Sequence, residues 1–124
     1  MNKPKVLIVD DDVDIVETIK FSLELENIKC IEAYDGEMAL SKAKTEKPDL
    51  ILLDVMLPKI HGYKIARFLK FDLEYKHIPI IMLTARAQAS DIKLGEDVGA
   101  DEYVAKPFDM EKLIALVKTY LDMK

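Results

Sequence analysis

The stretch LILLDVMLPKIHG, residues 50–62, places a carboxylate at the end of an apolar run. Leu50–Leu53 is typical of a strand buried on both faces, and Asp54 follows it directly, before a Met-Leu-Pro turn. A charge at the edge of a dry core costs several kcal/mol unless a partner compensates it. We therefore expect a compensating cation beside Asp54 and a chemical use for its carboxylate.

Short apolar runs alternate with longer amphipathic segments along the rest of the chain. The predicted strands are residues 5–10, 29–34, 50–54, 78–85 and 102–106. The predicted helices are residues 13–26, 37–47, 62–73, 90–100 and 109–121. Strands that alternate with helices favour an α/β fold, and right-handed crossovers favour an open, doubly wound (βα)5 sandwich. Of the five helices, the fourth is the most weakly specified, because Gly95 lowers its helix propensity.

The size and charge of the chain exclude several classes of function. Its 124 residues fit one domain, residues 1–124, with a single core. The net charge of −5 argues against direct nucleic-acid binding by this segment. The sequence shows neither a signal peptide nor an apolar run long enough to span a membrane. The one cysteine, Cys30, fits a reducing compartment, so we expect a cytoplasmic protein without membrane contact.

Polar side chains stand at the ends of four predicted strands. They are Asp10, Asp11 and Asp12 on the first strand, Asp54 on the third, Thr84 on the fourth and Lys106 on the fifth. In a doubly wound sheet the working site lies beyond the carboxyl ends of the strands, so we expect these side chains to meet. Clustered carboxylates raise one another's pKa, and the natural compensators for Asp54 are Mg²⁺ and Lys106. A carboxylate held in this way can accept a phosphoryl group, to which Thr84 can donate a hydrogen bond.

Four segments together resemble the receiver domains of bacterial two-component response regulators, including the stand-alone chemotaxis regulators. They are VLIVDDD (6–12), LILLDVMLPKIHG (50–62), IIMLTA (80–85) and GADEYVAKPF (99–108), in the family's order and spacing. The resemblance covers essentially the whole chain. It implies a flavodoxin-like fold, with five parallel strands in the order 2-1-3-4-5. It also implies a phosphoacceptor switch, which takes its phosphoryl group from a sensor histidine kinase or a phosphotransfer protein. Such a switch is not an enzyme in the ordinary sense, since at most it catalyses its own phosphorylation and dephosphorylation.

The resemblance also implies a role for individual residues. Asp54 would be the phosphoacceptor, and the Mg²⁺ ligands, which could also hold Mn²⁺, would be Asp10, Asp11, Asp54 and the carbonyl of Met56. Thr84, Ala85 and Lys106 would contact the phosphoryl group, Thr84 and Tyr103 would form the switch, and the bond before Pro107 would be cis.

A downstream effector or output domain would bind the face formed by the predicted fourth helix, fifth strand and fifth helix. A phosphorylation-dependent dimer is compatible with the resemblance, but Lys112 and Leu116 stand where one subfamily has an acidic residue and an arginine for its dimer ion pairs. Leu116 and Tyr120 fit a partner surface and a core margin equally well. The family tunes dephosphorylation at Met56 and Arg86; neither side chain positions an attacking water, so we expect a long-lived phosphoryl state.

The sequence offers two alternatives to the receiver function, a phosphatase and an interaction module. The segment VLIVDDDVD also resembles the opening motif of haloacid-dehalogenase-type phosphatases, with Asp10 as the nucleophile and Asp12 as the general acid/base, and Thr84 and Lys106 would fit that class as well. That interpretation explains Asp54 poorly and assigns no role to VMLPKIHG (55–62) or YVAKPF (103–108), and Asp14 occupies the place of the usual Thr or Ser. The second alternative is a receiver-like interaction module that is never phosphorylated, although all its site residues are present.

Several conspicuous residues have simpler interpretations. Asp12 is predicted to be the N-cap of the first helix. His61 and His77 are expected to be surface residues, and Cys30 an inert structural thiol.

Overall fold

The computed structural model describes residues 3–84 and 99–122. Its strands are β1 (Lys5–Val9), β2 (Lys29–Ala33), β3 (Leu50–Asp54), β4 (Ile80–Thr84) and β5 (Glu102–Ala105). Its helices are α1 (Val13–Glu24), α2 (Gly36–Glu46), α3 (Gly62–Lys70) and α4 (Met110–Tyr120). All five predicted strands and four predicted helices are confirmed. The predicted fourth helix, residues 90–100, lies almost wholly outside the described residues, so α4 is the helix predicted as the fifth.

The five strands form one parallel sheet in the order β2-β1-β3-β4-β5, which confirms the predicted topology. The central strand β3 lies between β1 and β4, with Val9 beside Leu53 and Asp54 beside Leu83. Thr84 in turn lies beside Ala105 of β5. The order of the strands therefore brings the ends of β1, β3, β4 and β5 to one edge of the sheet.

Apolar side chains form one core layer on each face of the sheet. One layer packs the buried residues of α2 and α3 against the sheet, and the other packs those of α1 and α4. The strands β3 and β4 are buried along their whole length, as their unbroken apolar sequences predict. α1 and α3 therefore lie on opposite faces of the sheet.

The ends of the elements differ from the prediction by a few residues. β1, β2 and β5 each end one residue earlier than predicted, because the next residue has already left the strand ladder, and β4 begins two residues later than predicted, at Ile80. α1 ends at Glu24, before Asn27, which adopts a left-handed conformation with φ 65°. α3 ends at Lys70, three residues early, where the Asp72 carboxylate accepts the Glu74 N–H at 2.8 Å in a local turn.

Candidate functional site

The turn after β3 holds Asp54 in place at the edge of the sheet. Val55 N–H donates to the Leu83 carbonyl at 2.9 Å, and Gly62 N–H donates back to the Val55 carbonyl at 2.9 Å. Gly62 packs so closely on the end of the strand that a Cβ at this position would lie 2.2 Å from the Asp54 carbonyl oxygen. Only glycine fits there, and the glycine lets α3 start directly against β3. Sequence reasoning assigned Gly62 no role, although a glycine after a loop and before an apolar helix is a signal for such close packing.

Three carboxylates converge at this edge. Oxygen atoms of Asp10, Asp11 and Asp54 all lie within 4.8 Å of one another. Asp10 and Asp54 are buried, with 1% and 4% of their surface exposed, whereas Asp11 is open to solvent. Asp10 Oδ1 accepts the Asp12 N–H at 2.9 Å, and Asp54 Oδ1 accepts the Met56 N–H at 3.4 Å. These are the hard oxygen donors that Mg²⁺ prefers, held by the protein before any ion arrives.

Lys106 supplies the ammonium of the site, but its shorter contact is not with Asp54. Its Nζ lies 2.6 Å from Asp10 Oδ2 and 3.5 Å from Asp54 Oδ1. The Lys106 N–H donates to the Thr84 carbonyl at 2.6 Å, which fixes the start of the β5–α4 loop beside the end of β4. Lys106 therefore compensates Asp10 first and Asp54 only in part.

The pKa values of Asp54 and Lys106 reflect the closer contact of Lys106 with Asp10 than with Asp54. Burial, with the charge of Asp10 second, raises the pKa of Asp54 from its ordinary 3.8 to about 6, against the opposing effects of Lys106 and of the Met56 N–H. Burial lowers the pKa of Lys106, but the hydrogen bond that its ammonium donates to Asp10 and the charges of both carboxylates outweigh this effect and leave that pKa raised. The pocket thus has more negative charge than its ammonium neutralises, which favours a divalent cation.

The other predicted site residues have the following positions. Thr84 is buried at the end of β4, and Tyr103 lies half-buried on β5, packed against the core layer of α2 and α3. The Met56 side chain is exposed, and the bond between Lys106 and Pro107 is cis, as expected. Ala85 and Arg86 lie outside the described residues.

Asp12, His61 and His77 lie where simple structural roles were predicted for them. Asp12 is the N-cap of α1, since its Oδ1 accepts the Asp14 and Ile15 N–H groups. His77 is exposed, and so is His61, but His61 has an additional role as the N-cap of α3, because its Nδ1 accepts the Tyr63 N–H at 3.3 Å.

Cys30 and two residues of the last helix also have defined surroundings. Cys30 is half-buried, and burial raises the pKa of its thiol to about 12, which agrees with an inert thiol. Leu116 and Tyr120 are partly buried and pack against the core layer of α1 and α4, as a core margin requires.

A parallel sheet with an acidic pocket and a lysine at its carboxyl edge defines a class of phosphoryl- and metal-binding α/β proteins. Within that class, the sequence profile of the response regulator receiver domain matches residues 6–118. This chain belongs to that family, and its function is that of a two-component receiver.

Individual relatives agree with this assignment. The chain is 47% identical over 121 residues to the alkaline phosphatase synthesis transcriptional regulatory protein PhoP of Bacillus subtilis, covering 98% of this chain and 49% of that protein. It is 45% identical to the phosphate regulon transcriptional regulatory protein PhoB of Pseudomonas aeruginosa, covering 94% of this chain and 51% of that protein. The chain thus spans about half the length of the curated relatives it matches.

Solved structures agree as well. The chemotaxis protein CheY4 of Vibrio cholerae superposes with a TM-score of 0.89 at 31% identity, covering 96% of this chain and 99% of that one. A putative response regulator from Chloroflexus aurantiacus superposes with a TM-score of 0.91 at 35% identity, covering 98% and 99%. Among the described residues, no helix has both the length and the apolar character to cross a membrane.

Proposed function

We propose that Asp54 is the residue of this receiver that accepts the phosphoryl group, in a reaction that requires Mg²⁺. The observation that supports this most is the convergence of Asp10, Asp11, Asp54 and Lys106 at one sheet edge, although they come from three separate strand ends. The donor would be a phosphohistidine of a sensor kinase or a phosphotransfer protein. The chain would act on no other substrate, and at most it would catalyse its own phosphorylation and dephosphorylation.

The donor set fits a hard divalent cation. Asp10, Asp11, Asp54 and the carbonyl of Met56 would hold Mg²⁺, or Mn²⁺ as a substitute, because the three carboxylates outnumber the one ammonium near them. Bound there, the ion would neutralise charge on the oxygens of the transferred group.

The residues of the chain would carry the transfer itself. An Asp54 carboxylate oxygen attacks the phosphorus, the phosphorus–nitrogen bond of the phosphohistidine breaks, and an acyl phosphate forms on Asp54. Lys106, 3.5 Å from Asp54, is near enough to pair with the new phosphoryl oxygens, and Thr84 and the backbone at Ala85 would contact them as well. Thr84 would then move toward the phosphoryl group and Tyr103 would turn inward, which changes the surface around β5.

The changed surface would pass the signal to an effector or output domain. It comprises residues 90–100, β5 and α4, and it is the proposed site of a phosphorylation-dependent dimer as well. The relatives named as transcriptional regulators support an output on transcription by a protein that contains this chain, without direct nucleic-acid binding by residues 1–124. We place the protein in the cytoplasm, with no membrane partner, and residues 1–124 form one receiver domain.

The phosphatase alternative is not favoured by the geometry. Both oxygens of Asp10 are engaged, Oδ1 with the Asp12 N–H and Oδ2 with Lys106, and Asp12 is committed to its capping bonds. A nucleophile and its general acid need to face a substrate instead.

The test is intact-mass measurement after incubation with a small acyl phosphate and Mg²⁺. The wild type is expected to gain one phosphate, Asp54→Asn none, and both to gain none with a chelator. Asp49→Asn, at the opposite end of β3, is the matched control and should behave as the wild type does. Phosphate uptake by Asp54→Asn would refute the assignment, and a wild type that never gains phosphate would support the interaction module.

A further inference from the structure

The outer face of α1 carries an acidic and apolar pattern that the core does not use. Its buried side is Val16, Ile19 and Leu23, so the side chains opposite these point away from the sheet. They include Asp14, Glu17, Phe21 and Leu25, here called the acidic stripe. Phe21 is 66% exposed and Leu25 71% exposed, which is unusual for large apolar side chains close together.

The carboxylates of the acidic stripe have no ion-pair partner among the residues that the structure describes. Lys20 is the only base of α1, and it is engaged with Glu32 of β2 at 2.5 Å. Asp14 and Glu17 form no ion pair with any residue in the described ranges 3–84 and 99–122. The stripe therefore presents two free carboxylates followed by two apolar groups.

The outer face of α3 carries the opposite charge, and its residues Lys64, Arg67 and Phe71 have the same spacing as Asp14, Glu17 and Phe21. Its exposed residues Lys64, Arg67, Phe68 and Phe71 are here called the basic stripe, and α3 contains no acidic residue although the chain as a whole is acidic. Phe71 is 72% exposed. Lys64 and Arg67 make no ion pair within the described part of the chain. Lys44 of α2 adds a further positive charge, with its Nζ 5.1 Å from the centre of the Phe68 ring.

Three positions of the two stripes match when the helices run side by side in parallel, whereas Leu25 and Phe68 have no counterpart in the other stripe. Asp14 then faces Lys64 and Glu17 faces Arg67. In the same register Phe21 faces Phe71. In both helices the two matched charges precede the matched phenylalanine, and in α3 Arg67 lies in the last turn and Phe71 is the C-cap.

We propose that copies of this chain associate head to tail, with the acidic stripe of one copy packed against the basic stripe of the next. α1 and α3 lie on opposite faces of the sheet. Two associated copies therefore still have an unused basic stripe on one copy and an unused acidic stripe on the other. The assembly is heterologous and grows with concentration. The contact involves few residues and exposed charges, so it is weak, exchanges rapidly and weakens as salt is added.

The test is sedimentation velocity of the unphosphorylated chain in chelator, over a range of concentrations up to millimolar, at low and high salt. These conditions keep it independent of the phosphorylation proposed above and of any dimer that phosphorylation induces. The wild type is expected to form species larger than a dimer at low salt. Glu17→Arg and Arg67→Glu should each sediment as monomers, because each places like charges in contact, and the double variant should associate again. Lys29→Glu, an exposed charge reversal outside both stripes, should behave as the wild type does.

A mixture of two apolar variants tests the direction of the contact. Phe21→Ser retains the basic stripe and Phe71→Ser retains the acidic stripe, so each alone should stay monomeric, and the mixture should form a 1:1 pair and stop there. All substituted residues are exposed, and circular dichroism confirms that each variant is folded. A monomeric wild type throughout, association that survives the single charge reversals, or failure of the double variant to associate would overturn the proposal.

Discussion

Asp54 is buried beside a like charge, and the nearest ammonium is bound more closely to that neighbour. Lys106 Nζ is 2.6 Å from Asp10 but 3.5 Å from Asp54. Folding without a metal therefore works against the ionised form of Asp54, as its raised pKa shows. The ionised Asp54 carboxylate therefore lowers the stability of the metal-free protein, while it remains available to bind a cation and to accept a phosphoryl group.

Replacing Asp54 by Asn should stabilise the metal-free protein at neutral and alkaline pH. A carboxyl group whose pKa is raised on folding, here from 3.8 to about 6, stabilises the fold fully below its unfolded pKa, and this contribution is lost as pH rises through about 6. Asn resembles the protonated group and keeps the contribution. The gain in unfolding free energy should be near zero at pH 4 and at most about 3 kcal/mol at pH 8.

Urea unfolding in chelator at several pH values measures this difference. Asp49→Asn, an exposed control, should show no comparable dependence. Equal stability of the wild type and Asp54→Asn at pH 8 would mean that Lys106 compensates Asp54 after all.

Met56 should govern the lifetime of the phosphoryl group. Its exposed side chain stands two residues after Asp54 and has no group that positions a water for attack. We expect Met56→Glu to shorten the lifetime by about tenfold or more, within the range that a positioned general base contributes, whereas Met56→Leu leaves it unchanged. The decay of phosphorylated protein by intact mass gives the rates, and a wild-type half-life of seconds in Mg²⁺ would contradict the prediction.

At the scale of the elements, the start of α3 packs closely against the end of β3. Gly62 N–H donates to the Val55 carbonyl, and an added Cβ would lie 2.2 Å from the Asp54 carbonyl and 2.9 Å from Val55 Cα. These are backbone atoms and have little room to move. The start of α3 and the position of Asp54 therefore depend on the absence of a side chain at Gly62.

Gly62→Ala should destabilise the protein by about 2–3 kcal/mol, as overpacking of a rigid site does. The displaced turn should slow phosphorylation of Asp54 as well. Ser41→Ala, on the exposed face of α2, is the control and should change the unfolding free energy by less than about 0.5 kcal/mol. Thermal unfolding together with the rate of phosphate uptake tests both effects, and a normal rate in folded Gly62→Ala would show that the turn tolerates the shift.

At the scale of the whole molecule, Asp101 ties distant elements together. Its Oδ2 accepts the Ile80 N–H at 2.8 Å and the Lys70 ammonium at 2.9 Å, and its carbonyl accepts the Tyr120 hydroxyl at 3.0 Å. The end of α3, the start of β4, the approach to β5 and the end of α4 thus meet at one residue. No local sequence pattern predicts this role of Asp101, because its hydrogen-bond partners are 19 to 31 residues away in the sequence.

Asp101→Ala should cost about 2 kcal/mol of unfolding free energy, since it leaves the Ile80 N–H without its acceptor and the mostly buried Lys70 ammonium without its carboxylate, with the Ile78 carbonyl still accepting from it. Tyr120→Phe, which removes one hydroxyl, should cost about 1 kcal/mol. In a double-mutant cycle with Lys70→Met, the combined loss should be smaller than the sum of the single losses, because both changes break the same ion pair. Additive losses would show that the pair contributes nothing to stability.

The sequence by itself determined the order of the elements, the parallel sheet and the residues that reach its carboxyl edge. Apolar runs, turn residues and crossover handedness are local or topological constraints that a pattern records directly. Only the tertiary structure decided that Lys106 binds Asp10 more closely than Asp54, that Gly62 must lack a side chain, and that Asp101 joins four elements. These features depend on distances of a few ångströms between groups far apart in the chain. Such distances follow from how the two core layers pack rather than from any periodicity in the residues.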